Sequence, residues 1–155
     1  MKRNIVPTRV ALVVFAMAFA SMVPSVYAQQ CSLAGAVGKY GFSDSGTVIG
    51  AGPRAAVGLL AFDVAGNVSG NVAASLNGSV SNTILAGTYS VSPDCRGTAT
   101  FDELDQSGSK ILTATVAIVW DAHMREARFL FTSVVQADGT PLSTVINGDA
   151  RKLIP

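Results

Sequence analysis

From residue 36 to the C-terminus the chain is a succession of short apolar, β-branched runs, separated by Gly, Asn, Asp and Ser. That punctuation is the grammar of strands and turns. It predicts eight strands, over 36–43, 54–63, 67–76, 83–92, 96–104, 110–120, 125–136 and 141–152. Most of the turns between them are too short for anything but antiparallel neighbours, because a parallel crossover needs a dozen residues or more. Val64-Ala65-Gly66, Gln106-Ser107-Gly108 and Ala137-Asp138-Gly139 each supply a residue suited to a tight turn. Helix is the competing reading for 109–138, which contains no Gly or Pro, but Ile111–Trp120 is β-branched with a period near two. Asp121-Ala122-His123-Met124 then reads as the turn between two strands.

Several strands are apolar on both faces. In 110–120, Leu112, Ala114, Val116, Ile118 and Trp120 oppose Ile111, Thr113, Thr115, Ala117 and Val119. In 125–136, Phe129, Phe131 and Val135 oppose Leu130, Thr132 and Val134, and in 54–63 Val57 and Leu59 oppose Leu60 and Phe62. An open sheet would leave one such face in water. Closure of eight strands into an all-β, antiparallel, up-and-down barrel hides one face inside and removes the edges. The apolar outer face then points to self-association as a homo-oligomer or to a covered flank. A β-sandwich is the alternative architecture. Asp44 to Pro53, with three glycines, reads as the one long connection, either a mobile lid or a plain flexible loop.

The N-terminus carries Lys2, Arg3 and Arg9, an apolar run from Val10 to Val23, and Val26-Tyr27-Ala28 with small residues at −3 and −1. This is the layout of a cleavable signal peptide over residues 1–28, leaving 29–155 as a single secreted or periplasmic domain. The run is short of the roughly 20 residues that span a bilayer, and no second run of that length follows. Gln30 before Cys31 argues against lipidation. Removing three of eleven basic residues leaves eight against ten acidic ones, a mature charge of −2, with no electrostatic footprint for nucleic acid. Cys31 and Cys95 form an even pair, which export turns into a disulfide closing a loop of about 65 residues.

Catalytic and metal motifs are missing. His123 is the single histidine and sits in a turn beside Asp121, and no Gly-x-Ser-x-Gly elbow occurs. Asp102, Glu103 and Asp105 fail the calcium-loop spacing and read as a charged hairpin end. Gly50-Ala51-Gly52-Pro53 lacks the Lys-Ser/Thr of a phosphate loop. Asn67-Val68-Ser69 and Asn77-Gly78-Ser79 match the glycosylation pattern, although their glycines favour hairpin roles. No cofactor or metal is therefore expected. The barrel interior is left, with Tyr40, Tyr89, Trp120, Phe129 and Phe131 as the rings that would line it, either as packed core or around a small apolar ligand.

These residues carry a resemblance. Cys31-Ser-Leu, Gly38-x-Tyr40-Gly-Phe42, Phe62-Asp63-x-x-Gly66-Asn67-Val68-Ser69-Gly70, Gly87-Thr88-Tyr89, Asp94-Cys95-Arg-Gly97-Thr98 and Gly148-Asp-Ala-Arg151 together resemble secreted bacterial proteins with an allene-oxide-cyclase-like (calycin-type) barrel. The resemblance implies a barrel and export. It implies no activity, because no position matches the catalytic residues of the plant cyclases. The opening Cys31-Ser-Leu with Gly38-x-Tyr40 is also similar to avidins, whose several tryptophans this chain lacks. Lipocalins open with Gly-x-Trp and close with a helix that is not expected here. The leading expectation is a non-catalytic exported module that binds a small apolar ligand or another surface. A cyclase or isomerase using the cavity, and a structural envelope protein, are the alternatives.

Overall fold

The computed structural model describes residues 31–153; the signal-peptide reading of 1–28 lies outside the described residues. One helical turn, α1 (Leu33–Ala36), precedes eight strands: β1 (Gly38–Val48), β2 (Gly52–Phe62), β3 (Asn67–Leu76), β4 (Ser79–Val91), β5 (Arg96–Leu104), β6 (Lys110–Trp120), β7 (Glu126–Gln136) and β8 (Thr144–Lys152). Each strand pairs with the next and β8 returns to β1, so the sheet is a closed antiparallel barrel. The side-chain period of two puts Tyr40, Asp44 and Val48 of β1 inside, and Ala114, Val116, Ile118 and Trp120 of β6 likewise.

The segment expected to be a loop, Asp44 to Pro53, is mostly strand. β1 and β2 stay paired from Gly38↔Phe62 to Val48↔Gly52, and the far half of β1 pairs with β8 as well. Only Ile49, Gly50 and Ala51 turn the chain. Gly46, which resembles loop punctuation in sequence, is a strand glycine pressed against β8: a Cβ there would lie 1.9 Å from the Val145 carbonyl oxygen. Two flanking strands supply the hydrogen bonds that hold a glycine-bearing stretch extended. The fourth strand also starts earlier than expected, at Ser79, because Asn77 (φ 49°) and Gly78 (φ 87°) form a two-residue hairpin turn. Conversely, the first strand begins at Gly38 and the last at Thr144; Ala36 closes the unforeseen α1 instead.

Five of the other turns share one construction, in which the fourth residue takes a left-handed conformation and its N–H closes the turn. Gly66, Gly108 and Gly139 do so as glycines, Cys95 (φ 65°) and Met124 (φ 53°) as residues for which that conformation is costly. Both are tied down by tertiary contacts at the same end of the barrel.

A bulge changes the phase of β7. Thr115 pairs with Ser133 but Val116 pairs with Phe131, so Thr132 is the extra residue. Val134, not Val135, is therefore the buried partner of Phe129 and Phe131 on the inner face. Strict alternation cannot register an inserted residue, which is why a period of two puts Val135 there instead. Beyond Leu130, β7 parts from β8, whose pairing with it spans only Glu126–Leu130.

Candidate functional site

The lower end of the barrel is stoppered. Cys31 is disulfide-bonded to Cys95, and α1 is held against the turn after β6. The Ser32 N–H meets Met124 Sδ at 3.4 Å, and a Cβ on Gly35 would strike that sulfur at 2.5 Å. Lys152 Nζ donates to the Gly35 carbonyl at 3.0 Å. Tyr40 and Tyr89 belong to this floor. Tyr40 is fully buried and donates to the Met124 carbonyl at 2.8 Å. Burial, with Tyr89 and Asp121 nearby, pushes its hydroxyl up to about 12, so it stays a neutral donor. Tyr89 donates to the Asp63 carbonyl at 2.7 Å, and burial raises its pKa too. Phe62 packs edge-on against both tyrosines. Of the two readings the sequence leaves open, both tyrosines fit packed core: neither is among the residues around the open space above, and their hydroxyls are committed to backbone carbonyls of the floor.

Above the floor, all eight strands line a narrow slot with about 50 Å³ of free volume. Trp120, Phe129 and Phe131 are part of its wall, as are Phe42 and Phe101, which the sequence pattern does not single out. The four phenyl rings form a belt, Phe42–Phe129 (6.2 Å), Phe129–Phe131 (6.2 Å) and Phe131–Phe101 (6.3 Å between centroids). They point inward yet are only partly buried, so the slot is not sealed by them. The rings are seated on strand glycines. Phe42 lies over Gly58, Phe129 over Gly148 and the Trp120 ring against Gly97, where an added Cβ would approach ring atoms to 2.6, 2.5 and 2.8 Å. Glycine on the facing strand leaves the room that lets each ring lie against the wall rather than across the slot.

The upper part of the slot is charged. Asp44, with its side chain 1% exposed, is paired with Arg54, 13% exposed. The Arg54 guanidinium reaches over the Phe131 ring, 5.6 Å from its centroid. Thr83, also buried, donates to Glu103 at 2.7 Å. One guanidinium thus serves a site with two carboxylates. Burial raises the pKa of Asp44, against the lowering effect of its hydrogen bond and charge interaction with Arg54; Glu103 adds to the rise.

Sequence reasoning misses this group because Asp44 falls in an apparent loop and Arg54 at its edge. A signal exists: Tyr40, Phe42, Asp44, Gly46 and Val48 keep the inward phase without interruption. The acidic cluster Asp102, Glu103 and Asp105 is split by the pleat. Glu103 faces in, Asp102 faces out to Lys110 (2.8 Å) and Thr113 (2.6 Å), and Asp105 caps its turn. His123 stands in the turn after β6, where its backbone N–H bonds to Asp121. Asn77 forms the β3–β4 turn and Asn67 donates to Asp63. Among the described residues no three His, Cys, Asp or Glu side chains converge on a metal-sized site, and no helix is long and apolar enough to cross a membrane.

The outer face carries a broader concavity, about 830 Å³, across β7, β8, β1, β2 and β3. Its floor is small residues such as Ser43, Ala55 and Ala73, and its rim holds Val57, Val80 and the Glu126–Arg151 ion pair.

No protein-family model matches the chain, and no curated protein matches it. Its fold is similar to that of a redesigned β-barrel bound to DFHBI, with a TM-score of 0.52, 11% identity, and 78% of this chain and 98% of that chain covered. A second redesigned β-barrel aligns with a TM-score of 0.48 at 10% identity, covering 79% and 96%. The S-type phycobiliprotein lyase CPES from Guillardia theta aligns with a TM-score of 0.43 at 11% identity, covering 79% and 91%. The chain shares the β-barrel architecture with the first of these.

Proposed function

We propose that this chain is an exported, non-catalytic barrel that binds a slim, largely apolar small molecule in its interior slot. The observation that carries the reading is the belt of four inward phenyl rings that remain partly accessible inside a barrel whose floor is closed. A barrel built only to be stable would bury those rings fully. The free volume is far below the several hundred Å³ of an ordinary ligand pocket. The ligand is therefore narrow, or enters as rings give way. A fold of this kind supports such use: the redesigned barrel of similar fold is bound to a small molecule, DFHBI. Export, and the allene-oxide-cyclase-like affiliation, belong to the same proposal. The three-part layout of residues 1–28 supports export, as does the Cys31–Cys95 disulfide, a bond suited to oxidising compartments.

The test is native mass spectrometry of the oxidised protein, together with displacement of a hydrophobic dye. A bare chain in the spectrum, with no dye or competitor altering Trp120 fluorescence, would sink the ligand reading. For export, the mature mass from a secreting host should correspond to a chain beginning at Gln29.

A cyclase or isomerase would find polar groups in Asp44, Arg54 and Glu103, but little room for substrate and transition state. A homo-oligomer is favoured by a separate observation: Val57, Leu59, Val80, Val119, Leu130 and Val145 are 46–71% exposed on the outer face. Sedimentation across a hundredfold concentration range would detect it, and a strictly monomeric profile would remove it.

A further inference from the structure

Trp120 is 3% exposed and lines the slot, yet its indole Nε1 has no hydrogen-bond partner among the described residues. A buried donor without an acceptor costs roughly 1–3 kcal/mol, so native proteins rarely keep one. The neighbours account for the rest of the ring. Its Cζ3 edge lies against Gly97 of β5, where an added Cβ would approach to 2.8 Å. Nε1 occupies the opposite edge of an indole, so the donor is turned away from that wall. The polar groups named above inside the barrel are already engaged: Asp44 with Arg54, Glu103 with Thr83, Tyr40 with Met124 and Tyr89 with Asp63. The indole N–H is the donor left over, on a ring that lines the slot.

Resting on the ligand reading above, we propose that Trp120 Nε1 is the specificity donor of the slot, and that the slot takes a slim apolar molecule bearing a neutral oxygen acceptor, such as a ketone or aldehyde carbonyl, at its deep end. The chemistry follows from the surroundings. An acceptor at this depth meets phenyl rings and aliphatic side chains, which favours a neutral group, since an ion would lose its hydration without a charged partner beside it. A site that offers a buried donor discriminates strongly against the analogue that lacks the acceptor. The narrow bore fits an unbranched chain better than a fused ring.

The experiment uses the full-length mature, oxidised protein and two probes with the same six-carbon chain, 2-hexanone and hexane. Trp120 is the single tryptophan, so one indole N–H resonance reports on it without assignment ambiguity. The expected result is that 2-hexanone binds at least tenfold more tightly than hexane (about 1.4 kcal/mol) and moves the indole N–H downfield, and that W120F removes the preference. Equal binding of the two probes with a stationary indole signal overturns the proposal but leaves an apolar slot. An indole N–H already hydrogen-bonded to a trapped water, and undisturbed by 2-hexanone, overturns it too. If neither probe binds, the ligand reading itself fails. The resonance of the unmutated protein decides between these outcomes even where W120F does not fold.

Discussion

The two ends of this barrel are built by different means. At the floor the protein's own N-terminal segment is the stopper: the disulfide holds Cys31 to Cys95, and Lys152 and Tyr89 donate to the Gly35 and Leu33 carbonyls, while the two tyrosine hydroxyls also tie the strands to turn carbonyls. Every polar atom named there is matched, and both tyrosines are held neutral. At the upper end the interior is charged, with Arg54 set among Asp44, Glu103 and the Phe131 ring, and the neighbouring phenyl rings remain partly accessible. The lower end uses its interactions to hold still. The upper end keeps a charge arrangement whose pairing one substitution can break. The contrast directs a search for function to the slot below the charged group rather than to the floor tyrosines.

The largest expected effect is at the floor. Replacing both Cys31 and Cys95 by Ser should lower stability by about 4 kcal/mol on the chain-entropy account of a loop of this length. Urea unfolding should show the loss. If the floor is independent of the charged end, binding to the slot in the variant should change less than its stability does.

The next effect tests the upper end. Arg54→Met strands a buried carboxylate and should cost about 3 kcal/mol, whereas combining it with Asp44→Leu should recover most of that loss, because removing both charges avoids the uncompensated desolvation. Thermal and urea melts of the two variants decide it. Equal destabilisation by single and double variants would mean that the pair is not the unit described here.

Tyr40→Phe returns to the floor at smaller scale. It leaves the Met124 carbonyl without its donor and should cost roughly 1–2 kcal/mol. It should leave probe binding in the slot unchanged. A lost binding signal in a folded Tyr40→Phe protein would bring that residue back into the lining, where the sequence pattern puts it.

The smallest effect is a pH dependence with opposite signs in two places. The turn aspartates have lowered pKa values: Asp63 through its Asn67 hydrogen bonds, Asp105 through Ser107, and Asp138 through the Thr140 backbone. Their contribution is present above the ordinary value of 3.8 and is lost as pH falls through the lower folded values. Asp44 runs the other way. Its raised folded pKa makes its contribution fullest below 3.8 and diminishes it as pH rises through the folded value. The stability advantage of the native protein over Asp44→Asn should therefore shrink as pH rises from about 3.8 through that window, then level off. Urea melts at intervals between about pH 3 and 7 would measure it; a difference independent of pH would show that burial does not dominate at Asp44.

The barrel is legible in the sequence because two-sided apolar strands such as Ile111–Trp120 leave few other ways to stay dry. The disulfide is legible from parity and the leader-like N-terminus. The inner faces are legible strand by strand until an inserted residue intervenes: Thr132 in β7 shifts Val134 inward, and nothing in the local pattern marks it. The candidate site is half legible. The pattern picks out Trp120, Phe129 and Phe131, which stand at the slot, but not Phe42, Phe101, Asp44, Arg54 or Glu103. Gly46 explains much of that gap. A glycine that starts a turn and a glycine that makes room for a neighbouring strand are the same letter, so the paired stretch from Asp44 to Val48 passes for a loop.

Strand number, antiparallel connection and the pairing of the two cysteines were settled by residue order, because these follow from periodicity, turn length and redox chemistry along the chain. Three-dimensional packing was needed to say which tyrosines seal the floor, which rings border free space and which charges share an interior. Those outcomes depend on what lies across the barrel from each side chain, and ring closure brings together residues that no local pattern relates.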